Sequence, residues 1–95
     1  MIYIGSLDGR LYALDARTGQ EKWSFKTDGA VYSSPAIADG VVYVGSGDGR
    51  LYALDAATGQ EKWSFKTDGE VYSSPAVAGG VVYFVDTEGY LYAVR

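Results

Sequence analysis

Residues 3–42 recur as residues 43–82 with only six changes: Ile4/Val44, Leu7/Gly47, Arg17/Ala57, Ala30/Glu70, Ile37/Val77 and Asp39/Gly79. A third, partial copy, YFVDTEGYLYAVR, occupies 83–95 and keeps Tyr83, Gly89, Leu91, Tyr92 and Ala93. A repeat at this short period constrains the fold more than any other feature. One unit is too small to bury its own apolar face, so the core must form between neighbouring units. Periods near forty residues belong to propeller-like or helical arrays, and the residues within the period decide between them.

They decide for strands. Turn dipeptides punctuate the chain about every ten residues: Asp8-Gly9, Thr18-Gly19, Asp28-Gly29, Asp39-Gly40, Asp48-Gly49, Thr58-Gly59, Asp68-Gly69, Gly79-Gly80 and Glu88-Gly89. Asp-Gly between apolar runs is a strong hairpin signal, because glycine accepts the positive φ that tight turns demand. No stretch carries helical periodicity. Nine tyrosines, two tryptophans and many valines also suit a pleated surface. The spacing predicts ten strands, at 2–6, 11–16, 21–27, 31–38, 41–46, 51–56, 61–67, 71–78, 81–86 and 91–94.

Each strand of the period has its own character. VVYVGS (41–46) and LYALDA (51–56) are apolar on both faces, as strands covered on both sides are. EKWSFKT (61–67) alternates, with Trp63 and Phe65 on one face and Lys62, Ser64 and Lys66 on the other. Lysines guard exposed sheet edges. VYSSPAVA (71–78) has small side chains and Pro75, which cannot donate to a ladder, so it reads as the opposite edge. The expected unit is therefore a four-stranded meander in the order small strand, VVYVGS, LYALDA, EKWSFKT. Such sheets packed around an axis make an all-β propeller, about two and a half blades per chain; a β-sandwich of the same hairpins is the alternative. The expected organisation is one repeat domain over 1–95, with a three-stranded partial blade at 1–27, a full blade at 30–67 and a three-stranded partial blade at 70–95.

One pattern inside the repeat is specific. Ala53, Asp55, Thr58, Gly59 and Trp63 fit A-x-D-x-x-T-G-x-x-x-W, and Ala13, Asp15, Thr18, Gly19 and Trp23 fit it at the same spacing. Thr-Gly makes the hairpin turn, and the aspartate can hold the turn amides. Alanine is small where a flat group must approach, and the tryptophan is that flat group. The pattern resembles the tryptophan-docking motif of the PQQ-like repeat, found in quinoprotein dehydrogenase propellers and in the outer-membrane assembly lipoprotein of the same fold. The flanking YVGSGDGRLYALDA and SSPAVAGG also resemble that repeat, so the likeness covers the whole chain. It implies that each tryptophan stacks onto the next blade, giving two docking contacts. A buried tryptophan removes about 200 Å² from water, so each contact is expected to contribute a few kcal/mol. The third copy reaches Arg95 with no docking turn, and it carries Val85 for Gly, Asp86 for Ser and Tyr90 for Arg.

Composition excludes several chemistries. There is no cysteine and no histidine, which removes disulfides, a thiol nucleophile and the commonest general base. A net charge of −4, with no basic block, disfavours nucleic acid. No apolar run approaches the roughly 20 residues of a membrane helix, and MIYIGSLDGR has no signal-peptide pattern. The residues themselves give no localisation; the resembled family is mostly periplasmic. Asp28, Asp48 and Asp68 read as turn residues, and SGDGR lacks the further acidic ligands of a calcium loop.

The expectation for function is structural: a propeller scaffold with no catalytic, cofactor or metal site, partnered by itself as a homo-oligomer such as a dimer. No small-molecule substrate is identified. Near-identical copies and an immediate start at Met1 suggest an engineered protein, with a natural propeller fragment as the alternative. A protein-binding module like the assembly lipoprotein is the second functional reading. A PQQ-dependent dehydrogenase is the third. In the resembled family that cofactor lies on the axis over a tryptophan, often under a vicinal disulfide, with calcium and a catalytic aspartate. Here the disulfide is impossible and both tryptophans sit at docking positions.

Overall fold

The computed structural model describes residues 1–95, and all of its regular structure is strand. The elements are β1 (Ile2–Gly5), β2 (Arg10–Leu14), β3 (Glu21–Lys26), β4 (Ala36–Ala38), β5 (Val41–Gly45), β6 (Arg50–Asp55), β7 (Glu61–Lys66), β8 (Ala76–Ala78), β9 (Val81–Val85) and β10 (Leu91–Val94). They form three antiparallel meanders: β1-β2-β3, β4-β5-β6-β7 and β8-β9-β10. These are propeller blades, each packed on the next, so the two-sheet sandwich does not form. We number the blades 1 to 3 in chain order.

Local chemistry explains the hairpins. Ala38 pairs with Val41 across a two-residue turn in which Asp39 and Gly40 both take positive φ, 52° and 76°. That is the conformation whose twist matches the flanking strands. In the outer hairpin the register shifts after Ala13, which faces Trp23, to Leu14, which faces Glu21. Lys22 is therefore the extra residue of a β-bulge, and Lys62 repeats it in blade 2. The bulge adds twist at the edge strand, where the lysines already discourage pairing.

The inner strand is shorter than its sequence suggests. Of the expected 31–38 and 71–78, only Ala36–Ala38 and Ala76–Ala78 pair as strand. Pro35 and Pro75 lack the N–H that would extend the ladder. The serines before them replace backbone partners with side chains. Gly45 N–H donates to Ser33 Oγ at 3.2 Å, and Val85 N–H donates to Ser73 Oγ at 3.1 Å. Hydroxyls compete with strand ladders in this way. The freed backbone turns to the preceding blade, where Val31 N–H donates to Ser6 O and Val71 N–H to Ser46 O, both at 3.0 Å.

Alternation then places the core between blades. In blade 2, Val42, Val44, Tyr52 and Leu54 face blade 1 and meet Leu11 there. Leu51, with Tyr43 and Trp63 beside it, lies on the other face and meets Val71, Val82 and Phe84 of blade 3. Glycine permits the closest approach at each junction. A Cβ on Gly5 would lie 2.5 Å from Val31 Cγ1, and one on Gly45 would overlap Val71.

Candidate docking site between blades

The Asp-x-x-Thr-Gly turns are built alike in both full copies. Asp15 Oδ1 accepts the N–H groups of Arg17 at 2.8 Å and Thr18 at 3.2 Å. Asp55 Oδ1 accepts those of Ala57 at 2.8 Å and Thr58 at 3.1 Å. These backbone donors hold both carboxyls below the usual carboxylate value of 3.8. Gly19 and Gly59 close the turns, their N–H groups reaching Asp15 O and Asp55 O at 2.8 Å. Their φ values are 75° and 79°, which a side chain adopts only at a cost.

The tryptophans stand across from the buried alanines: Ala13 pairs with Trp23, and Ala53 with Trp63. Because alanine is small, rings from the two flanking strands meet above it. Tyr3 and Trp23 lie 5.8 Å apart, and Tyr43 and Trp63 5.9 Å. Trp23 then reaches blade 2. Its Nε1–H donates to Ala56 O at 3.1 Å, and Tyr3 Oη–H donates to the same oxygen at 3.0 Å. The indole lies flat on Gly59, where an added Cβ would come within 2.5 Å of Cε3. Glycine at this position thus serves twice, once for the turn and once for the indole.

Trp63 makes no matching contact. The third copy carries no Asp-x-x-Thr-Gly turn, and Gly19 in blade 1 has nothing within 4 Å of its Cβ position. Within these residues Trp23 contacts the turn of the following blade and Trp63 contacts no such turn, where the repeated motif suggests two contacts of this kind. The residue and the atom that sequence reasoning missed are Tyr3 and the Ala56 carbonyl. A backbone acceptor leaves no side-chain signal, although Tyr3/Tyr43 and Ala16/Ala56 are both unchanged between copies.

Polar seams flank this contact. The Thr27 and Ser46 hydroxyls lie 2.7 Å apart across the first junction. In blade 3, Asp86 takes the place of Ser46. It accepts from Glu88 N and Tyr90 N at 3.0 Å and from Tyr92 Oη at 2.9 Å. Burial pushes its carboxyl up, but the hydrogen bonds from the Tyr90 N–H, the Tyr92 hydroxyl and further backbone groups together leave it lowered. Asp8 and Asp48 are turn carboxylates too, accepting from Arg10 N at 3.0 Å and Arg50 N at 2.9 Å, with Tyr12 and Tyr52 hydroxyls on their other oxygens.

No three acidic side chains converge as a metal site would require. The one cavity, about 220 Å³ and open, lies between the 7–9 and 26–30 segments. Its one cationic side chain, Lys26, is turned to the Asp8 and Thr27 carbonyls, and the carboxylates of Asp8 and Asp28 stand nearby. A flat, carboxylated quinone needs cationic partners and a free aromatic floor. Trp23 lies against Gly59, Trp63 packs with Tyr43, and neither tryptophan lines the cavity, so the cavity itself does not fit such a cofactor.

Comparison with known proteins places this geometry. The family described as outer membrane protein assembly factor BamB matches residues 1–95. The quinohemoprotein alcohol dehydrogenase ADH-IIG of Pseudomonas putida is 40% identical over 47 residues, which is 43% of this chain and 6% of that protein. Its solved structure, from strain HK5, superposes with a TM-score of 0.87 at 32% identity, over 96% of this chain and 17% of its own. The computationally designed Ika8 protein gives a TM-score of 0.86 at 23% identity, over 98% of this chain and 29% of its own. BamB from Moraxella catarrhalis gives 0.82 at 20%, over 96% of this chain and 28% of its own. The last two likenesses are of fold alone. The chain spans less than a third of each of these three proteins.

Proposed function

Because the chain belongs to the PQQ-like propeller family described as outer membrane protein assembly factor BamB, we propose that it is a non-catalytic propeller module whose work is blade-to-blade packing, including packing against further copies of itself. One observation carries this reading: the apolar positions buried between blades inside the chain recur, exposed, on its two outer faces. Val42 and Val44 are fully buried, while their counterparts Ile2 and Ile4 are 46% and 47% exposed. Wet apolar faces of this kind favour association. The near-identity of the copies supports a designed origin. The polar groups described above are spent on turns and seams, which supports a structural rather than a chemical role.

Light scattering tests the packing role. The expected result is a species of at least twice 10.2 kDa; a stable monomer would sink it. Dye-linked alcohol oxidation with added PQQ and Ca²⁺ tests the non-catalytic part, and turnover would refute it.

A second reading has its own support. The edge of β10 lacks the fourth strand that β7 supplies to β6 in blade 2. An unpaired ladder accepts an added strand, which would make the chain a protein-binding module. Titration with a labelled peptide of the β7 sequence, Glu61–Lys66, tests this; binding protects the β10 amides from hydrogen exchange, and unchanged exchange rules it out.

A further inference from the structure

The two outer faces differ, and the difference identifies their partner. Blade 1 presents Ile2, Ile4, Tyr12 and Leu14 outward, the counterparts of Val42, Val44, Tyr52 and Leu54. Blade 3 presents Tyr83, Val85, Leu91 and Ala93, the counterparts of Tyr43, Gly45, Leu51 and Ala53. Leu91 is 71% exposed, whereas Leu11 and Leu51 are fully buried. Inside the chain, the second set meets the first at both junctions: Leu11 packs with Val42 and Val44, and Leu51 with Val82 and Phe84. The outer faces are thus the two unlike halves of an interface that the chain already builds twice.

Val85 narrows what can cover blade 3. At Gly5 and Gly45 the next blade inserts a valine, Val31 or Val71, where even a Cβ would collide. Val85 places a whole side chain at the corresponding position. A covering blade with an inner segment of the 31–35 type would therefore clash there. In this structure the innermost strand of blade 1 is β1, whose IYIG carries no such segment.

From this we propose that the outer face of blade 3 docks on the outer face of blade 1 of a second copy, head to tail, with Leu91 of one copy seated against Ile4 of the other. The inference rests on the self-packing role proposed above and adds to it a surface, an orientation and a pair of residues. Such a contact is heterologous: it closes a ring if the rotation allows and extends if it does not.

The chain has no cysteine, so single thiols report the contact cleanly. Ile4→Cys and Leu91→Cys chains are made separately, checked for strand content by circular dichroism, and treated with a short bismaleimide, each alone and after mixing. Linked dimers are expected in the mixture and in neither variant alone. A link formed within one variant means that like faces meet, which overturns this proposal and leaves self-packing standing. A monomeric parent by light scattering overturns both. The second pair, Ile2→Cys with Tyr83→Cys, guards against a single badly placed thiol. A multimeric parent in which neither mixed pair links also overturns the head-to-tail contact.

Discussion

Two glycines with the same backbone and different surroundings separate the cost of a turn from the cost of a contact. Gly19 and Gly59 share φ near 75–79°, so alanine at either position carries left-handed strain of roughly 1–2 kcal/mol. Only Gly59 lies under an indole. Gly59→Ala is therefore expected to destabilise the chain by a further 1–3 kcal/mol, approximately, through overpacking against Trp23. Equal loss in the two variants, measured by urea unfolding, would mean that Trp23 does not rest on that turn. The aspartates of the same turns set an acid limit. Asp15 and Asp55 have folded pKa values below 3.8, so their contribution is present above the unfolded value and is lost as pH falls through the folded one. Stability is expected to decline progressively below about pH 4, and Asp15→Ala/Asp55→Ala should flatten that decline.

At the scale of the element, the edge strands carry their own protection. β3 and β7 end the first two sheets with exposed lysines and a bulge at Lys22 and Lys62. Charge and local twist both oppose strand addition there. Replacing Lys22, Lys26, Lys62 and Lys66 with threonine keeps strand propensity and removes the charge. The variant is expected to fold alike and to aggregate faster, read as thioflavin T fluorescence and turbidity over time. An unchanged aggregation rate would place the protection in the bulge alone. On the opposite edge, the Ser-Ser-Pro segments leave only three residues of ladder, which also limits pairing.

For the molecule as a whole, the burial pattern predicts that stability depends on concentration. Covering Ile2, Ile4 and Leu91 in an assembly stabilises the folded state by mass action. A hundredfold dilution of an obligate dimer removes about 2.7 kcal/mol, and spread over two 95-residue chains that corresponds to a melting temperature lower by roughly five to ten degrees. A melting temperature independent of dilution would mean that the outer faces stay wet. Trp23→Ala and Trp63→Ala belong to the same scale. The first removes a contact inside the chain and is expected to cost about 3–5 kcal/mol of unfolding free energy; the second loses packing with Tyr43 and with the cluster of Leu51, Val71, Val82 and Phe84 and should cost less.

Local chemistry specifies the blades. Asp39-Gly40 dictates a tight hairpin, the alternation in EKWSFK marks an edge, and the doubly apolar VVYVG and LYALD mark strands covered on both sides; each is a local rule acting within a few residues. The order of strands follows because hairpins pair neighbours. The remaining choices come from packing between blades. The two Trp contexts are identical, and what separates Trp23, which reaches Ala56 O and Gly59, from Trp63 is the blade that comes next; the sequence shows that difference only as the missing Asp-x-x-Thr-Gly pattern of the third copy. Nor does VYSSPAIA disclose that its first half leaves the ladder for the preceding blade, since that depends on Ser6 O lying within reach of Val31. Long-range neighbours made those choices, and local pattern does not encode them.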